Sequence, residues 1–349
     1  MYWKYAVKRA IWGVAVFVII IFILSALFDS VLEETVNSQI TEQVNEAARS
    51  QERMTVEERL RFEESMTNRL RHQYHLDVSS WERIPRRALD ILTLDFGNAT
   101  TMRSTTWKVN SNDVRTIVLE TVPNTILLFT VVVAIDVFIG LFLGILKAGV
   151  AGGIMDKVTS IGTMVVYGIP TWWFAMVTIL IFAYTLEWCP SGGIHSTPIP
   201  TGFSYYTDIL KHMVLPVCTL VLIGFWGRAY LTRNIVLSTL QDDYIMSARA
   251  RGIPERKVLF GHTLRSSAPP LMTMAILSLL LSISGSIITE GVFSWPGMGN
   301  LYWGAISTSD VPVIMGNVSI TTGLYIFGLV VLDLIYGFLD PRIRVGGRR

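Results

Sequence analysis

Charge is scarce in this chain. Asp, Glu, Lys and Arg make up 16% of its 349 residues, against roughly a quarter in a soluble domain. Cysteine is scarcer still, with 2 residues, while Pro (13) and Gly (27) are ordinary in number. The shortage of charge excludes an ordinary soluble domain. The two cysteines exclude a disulfide scaffold, and Pro and Gly are too few for collagen or low-complexity disorder. A formal net charge of +2 leaves no excess for a nucleic-acid surface. What is present is apolar: 51% hydrophobic residues and a mean hydropathy of +0.47. This composition belongs to a polytopic, all-α membrane protein with one sizeable polar insert.

A membrane-crossing helix needs about 20 mostly apolar residues. Ala10 to Phe28 carries no charge and ends at Asp29. It is too long for a signal-peptide core and no small-residue cleavage site comes after it, so it reads as a retained anchor. Further apolar stretches lie at 117–146, 158–184, 213–233, 269–290 and 315–338, which predicts six spans. With the N-terminus inside, the inner segments hold 16 of the 29 Lys and Arg, and the two short outer loops, 185–212 and 291–314, hold only Lys211. The positive-inside rule then places both termini in the cytoplasm. The expected organisation is a first span over 1–28, an extracellular helical insert over 29–116, a five-helix core over 117–338 and a basic tail over 339–349.

The insert carries 15 of the 27 acidic residues, so it is a mixed-charge surface rather than a polybasic arm. Leu32, Val36, Ile40 and Val44 recur at helical spacing, as if the first span continued outward. Thr55 with Glu58 reads as a capping box opening a second helix, with Val56, Leu60 and Tyr74 among its apolar positions. Glu57 with Arg61 and Arg59 with Glu63 would support it. The insert reads as a solvated helix pair or as a docking surface for an extracellular partner. Cys189 and Cys218 fall in a loop and a span, which predicts neither a disulfide nor a metal site. The five histidines have no ligand spacing, and no catalytic constellation is expected.

The most informative stretch is the inner loop at 234–268, above all Gln241 to Leu259. Acidic residues start it, good helix formers come next, and Gly252 stops it in the manner of a left-handed helix end. Pro254 suits the first turn of a second helix, and Glu255 complements its positive end. A short helix, a sharp turn and another helix are predicted. Ala248 and Ala250 keep the first helix thin enough for close approach by another surface.

This segment resembles the EAA loop of ABC-type importer permeases, in which Glu-Ala-Ala is followed by three residues and Gly. Ser247-Ala248-Arg249 stands at the Glu-Ala-Ala place and Gly252 is the matching glycine, one residue nearer than in that pattern. The likeness is to the dipeptide, oligopeptide and nickel B-type permeases, through Asp243-Tyr244, Ala248-Arg249-Ala250, Gly252, His262-Thr263-Leu264-Arg265 and Pro270. Met246 replaces a usual basic residue and Pro269 adds a second proline. Glu290-Gly291-Val292-Phe293-Ser294-Trp295-Pro296-Gly297-Met298-Gly299 resembles the loop between that subfamily's last two spans. Leu339-Asp340-Pro341-Arg342-Ile343-Arg344 resembles its C-terminal signature, and Leu94-Asp95-Phe96-Gly97 with Pro123-Asn124-Thr125 its approach to the second span. Region 29–84 is longer and more charged than the subfamily's, so no role is carried over to it.

The resemblance implies a non-catalytic membrane subunit of an ATP-driven importer in a prokaryotic plasma membrane. Its implied partners are a second permease subunit in a heterodimer, two cytoplasmic ATPase subunits and an extracellular solute-binding protein, with lipid around it and no nucleic acid. Asp243, Tyr244, Ala248, Arg249, Ala250 and Gly252 would form the ATPase-coupling loop. No cofactor is expected in this chain, since ATP and Mg would be bound by the ATPase subunits. In agreement, no Gly-x-x-x-x-Gly-Lys-Ser/Thr occurs in the sequence. Short peptides are the favoured solute, with oligosaccharides or nickel complexes as alternatives.

Two further groups stand out. Glu290, Phe293, Trp295, Pro296, Gly297 and Gly299 make an irregular turn, read either as an outer gate or binding-protein contact or as an interfacial loop. Asp136 and Asp333 lie within spans, where a charge usually faces protein or water. Asp333, near the inner boundary, reads as structural. Asp136 reads as packing or as lining a translocation path. A stand-alone secondary transporter or channel is the competing class. It would want an inverted repeat and broken helices in matching halves, and no such repeat is evident.

Overall fold

The computed structural model describes residues 2–49, 55–73, 76–103, 111–282 and 285–339. Among the described residues the chain is helical and has no strand, only an isolated bridge between Asn98 and Asp113. It divides into two compact units, Met1–Glu120 with Gly304–Arg349, and Thr121–Trp303.

In the first unit, α1 (Tyr2–Arg49) runs without a break from the apolar segment into the insert. At 48 residues it is about 70 Å long. Leu32, Ile40 and Val44 are buried on its outer half, as their spacing predicts. α2 (Val56–Gln73) folds back on α1, and Met66, Leu70 and Leu76 cover Ile40 and Val44. Its start is the capping box: the Thr55 amide donates to Glu58 Oε2 at 2.9 Å, and the Glu58 amide donates to Thr55 Oγ1 at 3.4 Å. Arg59 and Glu63 pair at 2.9 Å. Val56 and Leu60 are exposed, so the packed face of α2 lies further along the helix than expected; Tyr74 lies outside the described residues. A third helix of the insert, α3 (Ser80–Leu92), escapes the sequence reading. It packs against α1 through Ala88 and Ile91, with Arg83 buried beside Asp29.

α4 (Val114–Gly149) is the next long helix. The expected third span, 158–184, is broken. α5 (Ile154–Tyr167) and α6 (Thr171–Ile179), which continues as a π-helical turn over Leu180–Thr185, meet at 94°. The cause is local: the residue before a proline is kept out of the helical region, and Pro170 itself is extended (φ −61, ψ 128). After α7 (Phe203–Leu240) come α8 (Asp243–Ala250) and α9 (Glu255–Lys257). A π-helical turn over Val258–Thr263 leads into α10 (Leu264–Leu281).

The fifth expected span, 269–290, therefore ends early. After Leu281 the chain turns through Gly285 at φ +67 into α11 (Ile287–Val292), capped by the Ser286 hydroxyl accepting from the Thr289 amide. α12 (Met298–Ser307) and α13 (Val311–Leu339) complete the described helices. The C-terminal signature beyond Leu339 lies outside the described residues. Among the described residues, five helices are long and apolar enough to cross a membrane, and α5 with α6 makes a sixth span if the bent pair is one crossing. Much of their apolar surface is exposed, for example Ile11, Leu27, Phe138 and Phe327. Lipid or a neighbouring subunit has to cover such a surface.

Candidate functional site

The loop after α7 is a helix, a turn and a helix. Asp242 is extended (φ −67, ψ 143) and its carbonyl accepts from the amides of Ile245 and Met246, which starts α8. The end of α8 is a Schellman stop. The Gly252 amide donates to the Arg249 carbonyl at 2.9 Å, and the Ile253 amide reaches back to the Ala248 carbonyl at 3.3 Å. The geometry needs a left-handed residue at the stop, and Gly252 has φ +75. No atom lies within 4 Å of the place a Cβ would take there, so backbone conformation alone constrains the position.

Two features of this loop depart from expectation. Ala248 faces inward and is buried, so it does not present a thin surface to another molecule; Asp243, Tyr244 and Ala250 do face out. Glu255 does more than complement a helix start. Both its carboxylate oxygens accept from the Arg249 guanidinium across the turn, which fixes the angle between α8 and α9. This holds Arg249 protonated and raises its pKa above the usual arginine value.

The inner face of the loop is continuous with the ends of the long helices. Ile245, Val258 and Leu259 share one buried cluster with Ala148 of α4, Val236 and Leu240 of α7, and Leu271 of α10. Force applied to α8 therefore reaches three long helices through close-packed side chains, which transmit strain because interiors have little free volume.

The 285–300 region forms a clasp. Glu290 is fully buried, and its carboxylate accepts from the Gly299 amide at 2.7 Å, the Asn300 amide at 3.1 Å and Thr125 Oγ1 at 3.0 Å. The two amides are the free donors at the start of α12, where a negative charge is favoured. Burial pushes the Glu290 carboxyl above the usual glutamate range, and the Asn300, Thr125 and Gly299 donors pull it back. Thr125 Oγ1 in turn accepts from the Met298 amide at 2.7 Å. Trp295 is fully buried and donates through Nε1 to the Asn124 carbonyl at 2.9 Å, while the Asn124 side chain donates to the Pro296 carbonyl at 2.8 Å.

Glu290 and Trp295 are thus core groups that tie the turn to α4, and Phe293 packs it against Ala175 of α6 and Leu215 of α7. Within this chain only Ser294 of the 293–295 stretch is exposed. Pro296, Gly297 and Gly299 are brought together with these core groups. A Cβ on Gly297 would overlap Glu290 Oε2 and Thr125 Oγ1. Gly297→Ala is expected to destabilise the chain by about 1–3 kcal/mol, as overpacking does. A lower melting temperature of the purified protein would register the loss, and an unchanged one would show that the clasp is loose.

Asp136 takes the packed arrangement, one of its two readings. Its side chain is 6% exposed, so it lines no open surface of this chain. Its Oδ2 accepts from Arg228 Nε of α7 at 2.6 Å, and Arg228 Nη1 donates to Ser278 Oγ of α10 at 2.7 Å. Gly140 makes room for the arginine stem, which a Cβ there would strike at 2.7 Å. Asp136 and Arg228 thus form a buried tie among α4, α7 and α10. Arg228 carries a signal that sequence reasoning passes over: it is a lone cation in an apolar run, and a buried charge requires a partner. A second tie joins Arg233 to Asp156 at 2.7 Å, with the Gly152 amide on the same carboxylate oxygen. Asp333 pairs with Arg9 at 3.3 Å, in keeping with its structural reading.

Comparison with known proteins places the chain in a family. Residues 137–345 match the family described as binding-protein-dependent transport system inner membrane component. The chain is 32% identical over 249 residues to the oligopeptide transport system permease protein AppB of Bacillus subtilis (strain 168), covering 71% of this chain and 76% of that protein. It is 31% identical over 220 residues to the di/tripeptide transport system permease protein DppB of Pseudomonas aeruginosa (strain UCBPP-PA14), covering 59% of this chain and 66% of that protein.

Proposed function

Because this chain belongs to the family of binding-protein-dependent transport system inner membrane components, we propose that it forms half of the membrane path of an importer for short peptides. It is a multi-pass membrane subunit of an ABC importer that works with a binding protein and an ATPase, and it is not itself an enzyme. The peptide class is supported by the relatives, which are named as oligopeptide and di/tripeptide permeases. In this proposal a second permease completes the path, two ATPase subunits sit under the 241–259 loop, and both chain ends lie on that cytoplasmic side.

The single observation that carries the coupling role is the buried cluster joining Ile245, Val258 and Leu259 to α4, α7 and α10. An ATPase gripping the exposed residues Asp243, Tyr244 and Ala250 would move α8 as a rigid piece, because the Gly252 stop and the Arg249–Glu255 pair fix its angle to α9. The cluster would then shift the ends of three long helices together. The Glu290 clasp and the Asp136–Arg228 tie would keep the helices acting as one body while their cytoplasmic ends move.

The energy has to come from outside this chain, which contains no phosphate-binding loop of the Gly-x-x-x-x-Gly-Lys-Ser/Thr kind. Purified by itself, the chain is expected neither to bind nor to hydrolyse ATP. Nucleotide binding by calorimetry and phosphate release test this. Sustained turnover by a preparation free of ATPase subunits would contradict the proposal.

A further inference from the structure

α3 carries a surface to which the proposed function assigns no role. Trp81 is 88% exposed and Leu89 is 58% exposed, with Pro85, also exposed, between them. Residues 81, 85 and 89 are four apart, so they form one apolar stripe along the helix. The opposite face, with Arg83, Ala88 and Ile91, is packed on α1.

The depth of this stripe relative to the bilayer is set by α1. Residues 10–28 carry no charge and are bounded by Arg9 and Asp29. The 20 helical steps between those two residues span about 30 Å, the thickness of the hydrocarbon layer. Both boundary charges are tied to other elements: Arg9 to Asp333 of α13 at 3.3 Å, and Asp29 to Arg83 of α3 at 2.7 Å and to Arg87 at 2.9 Å. α3 is therefore pinned at one edge of the hydrocarbon.

Its direction is also fixed. Arg83 reaches both Asp29 and Glu33, one turn further from the span, at 2.7 Å for each, whereas Arg87 reaches Asp29. Moving along α3 from Arg83 to Arg87 thus descends towards the bilayer. Beyond Arg87, Ala88, Ile91 and Leu92 join Leu24 and Phe28 of the apolar segment in one cluster. Leu89 then stands at the hydrocarbon edge, and Trp81, about 12 Å back along the axis of α3, stands on the headgroup side of it.

We propose that α3 is an interfacial helix whose Trp81–Pro85–Leu89 stripe is seated in the lipid headgroup and upper acyl layer. Tryptophan favours this zone, where one side of its ring is apolar and its N–H is solvated. Leu27 and Val31 of α1 are also exposed beside Asp29 at this edge. The partner is the bilayer, recognised by burial of an amphipathic helix face, with Arg83 and Arg87 turned to α1.

The test uses the complex in which the full chain is isolated from membranes, reconstituted in lipid nanodiscs. Cys189 and Cys218 are replaced by serine, and an environment-sensitive fluorophore is attached to Trp81→Cys, to Leu89→Cys and to a Glu57→Cys control on α2. A spin label on a shallow acyl position of the lipid should remove most of the emission at 81 and 89 and little at 57, and aqueous iodide should do the reverse. Quenching by iodide at 81 and 89 would overturn the proposal, as would protection from both quenchers, the mark of a protein partner covering the stripe. Trp81→Phe, which keeps an apolar ring, provides a second reading without label. Brominated lipid should quench total tryptophan emission less in Trp81→Phe than in the unsubstituted chain, and an equal effect would also overturn it.

Discussion

Gly252→Val is expected to reach the membrane at near-normal levels and to lose at least about nine-tenths of ATP-dependent solute uptake, a factor of ten being about 1.4 kcal/mol of coupling. At φ +75 a β-branched side chain is strained by about 1–2 kcal/mol, and no neighbouring atom is struck. The strain can be relieved only by rotating the turn, which would break the Gly252 to Arg249 and Ile253 to Ala248 hydrogen bonds and pull Glu255 away from Arg249. The angle between α8 and α9 would then no longer be fixed. Gly252→Asn is the control, because asparagine enters the left-handed region far more readily. It should retain most uptake. Equal loss in both variants would mean that the glycine matters for something other than its backbone conformation.

Asp136→Asn is expected to cause a large fall in the amount of folded chain in the membrane. Arg228 is 15% exposed and would be left without its counter-ion. Removing one partner of a buried pair costs about 3–5 kcal/mol, much of a domain's net stability. The double variant Asp136→Leu with Arg228→Met removes both charges and should recover much of the loss, since paired charges can be exchanged for apolar groups at little cost. Membrane abundance and melting temperature of the three proteins decide the matter. A path-lining Asp136 predicts the opposite pattern, with normal abundance and altered uptake in the single variant and no rescue by the double.

Most of the helices are legible in the sequence because a membrane span announces itself by the length of its apolar run. Elsewhere, run length is the wrong guide. The apolar run at 269–290 continues past Leu281 and carries the fifth expected span with it, yet Gly285 and the Ser286 cap start a separate helix there. The 94° bend before Thr171 is written in Gly168-Ile169-Pro170, but an apolar count passes over it. α3 is hidden because a buried arginine occupies its packed face and a proline stands in its middle, so its pattern does not look like that of a helix against a core.

The candidate site is legible where local backbone chemistry decides. Gly252 foretells its own turn, and Thr55 with Glu58 foretells the capping box. Contacts between distant residues are not legible. The partner of Asp136 lies 92 residues away, and the Thr125 hydroxyl on Glu290 lies 165 residues away. Spacing also cannot say which side of α8 turns inward. Ile245 and Ala248, three apart, share the buried face, which leaves Tyr244 and Ala250 outside.

The most direct measurement is uptake of a labelled short peptide into proteoliposomes that hold this chain with its second permease and ATPase subunits, with ATP inside and the binding protein outside. The account predicts accumulation that needs ATP, the ATPase subunits and the binding protein together, and that collapses in Gly252→Val while the assembled complex remains intact. Peptide flux through this chain without ATPase subunits, or undiminished uptake by Gly252→Val, would contradict it.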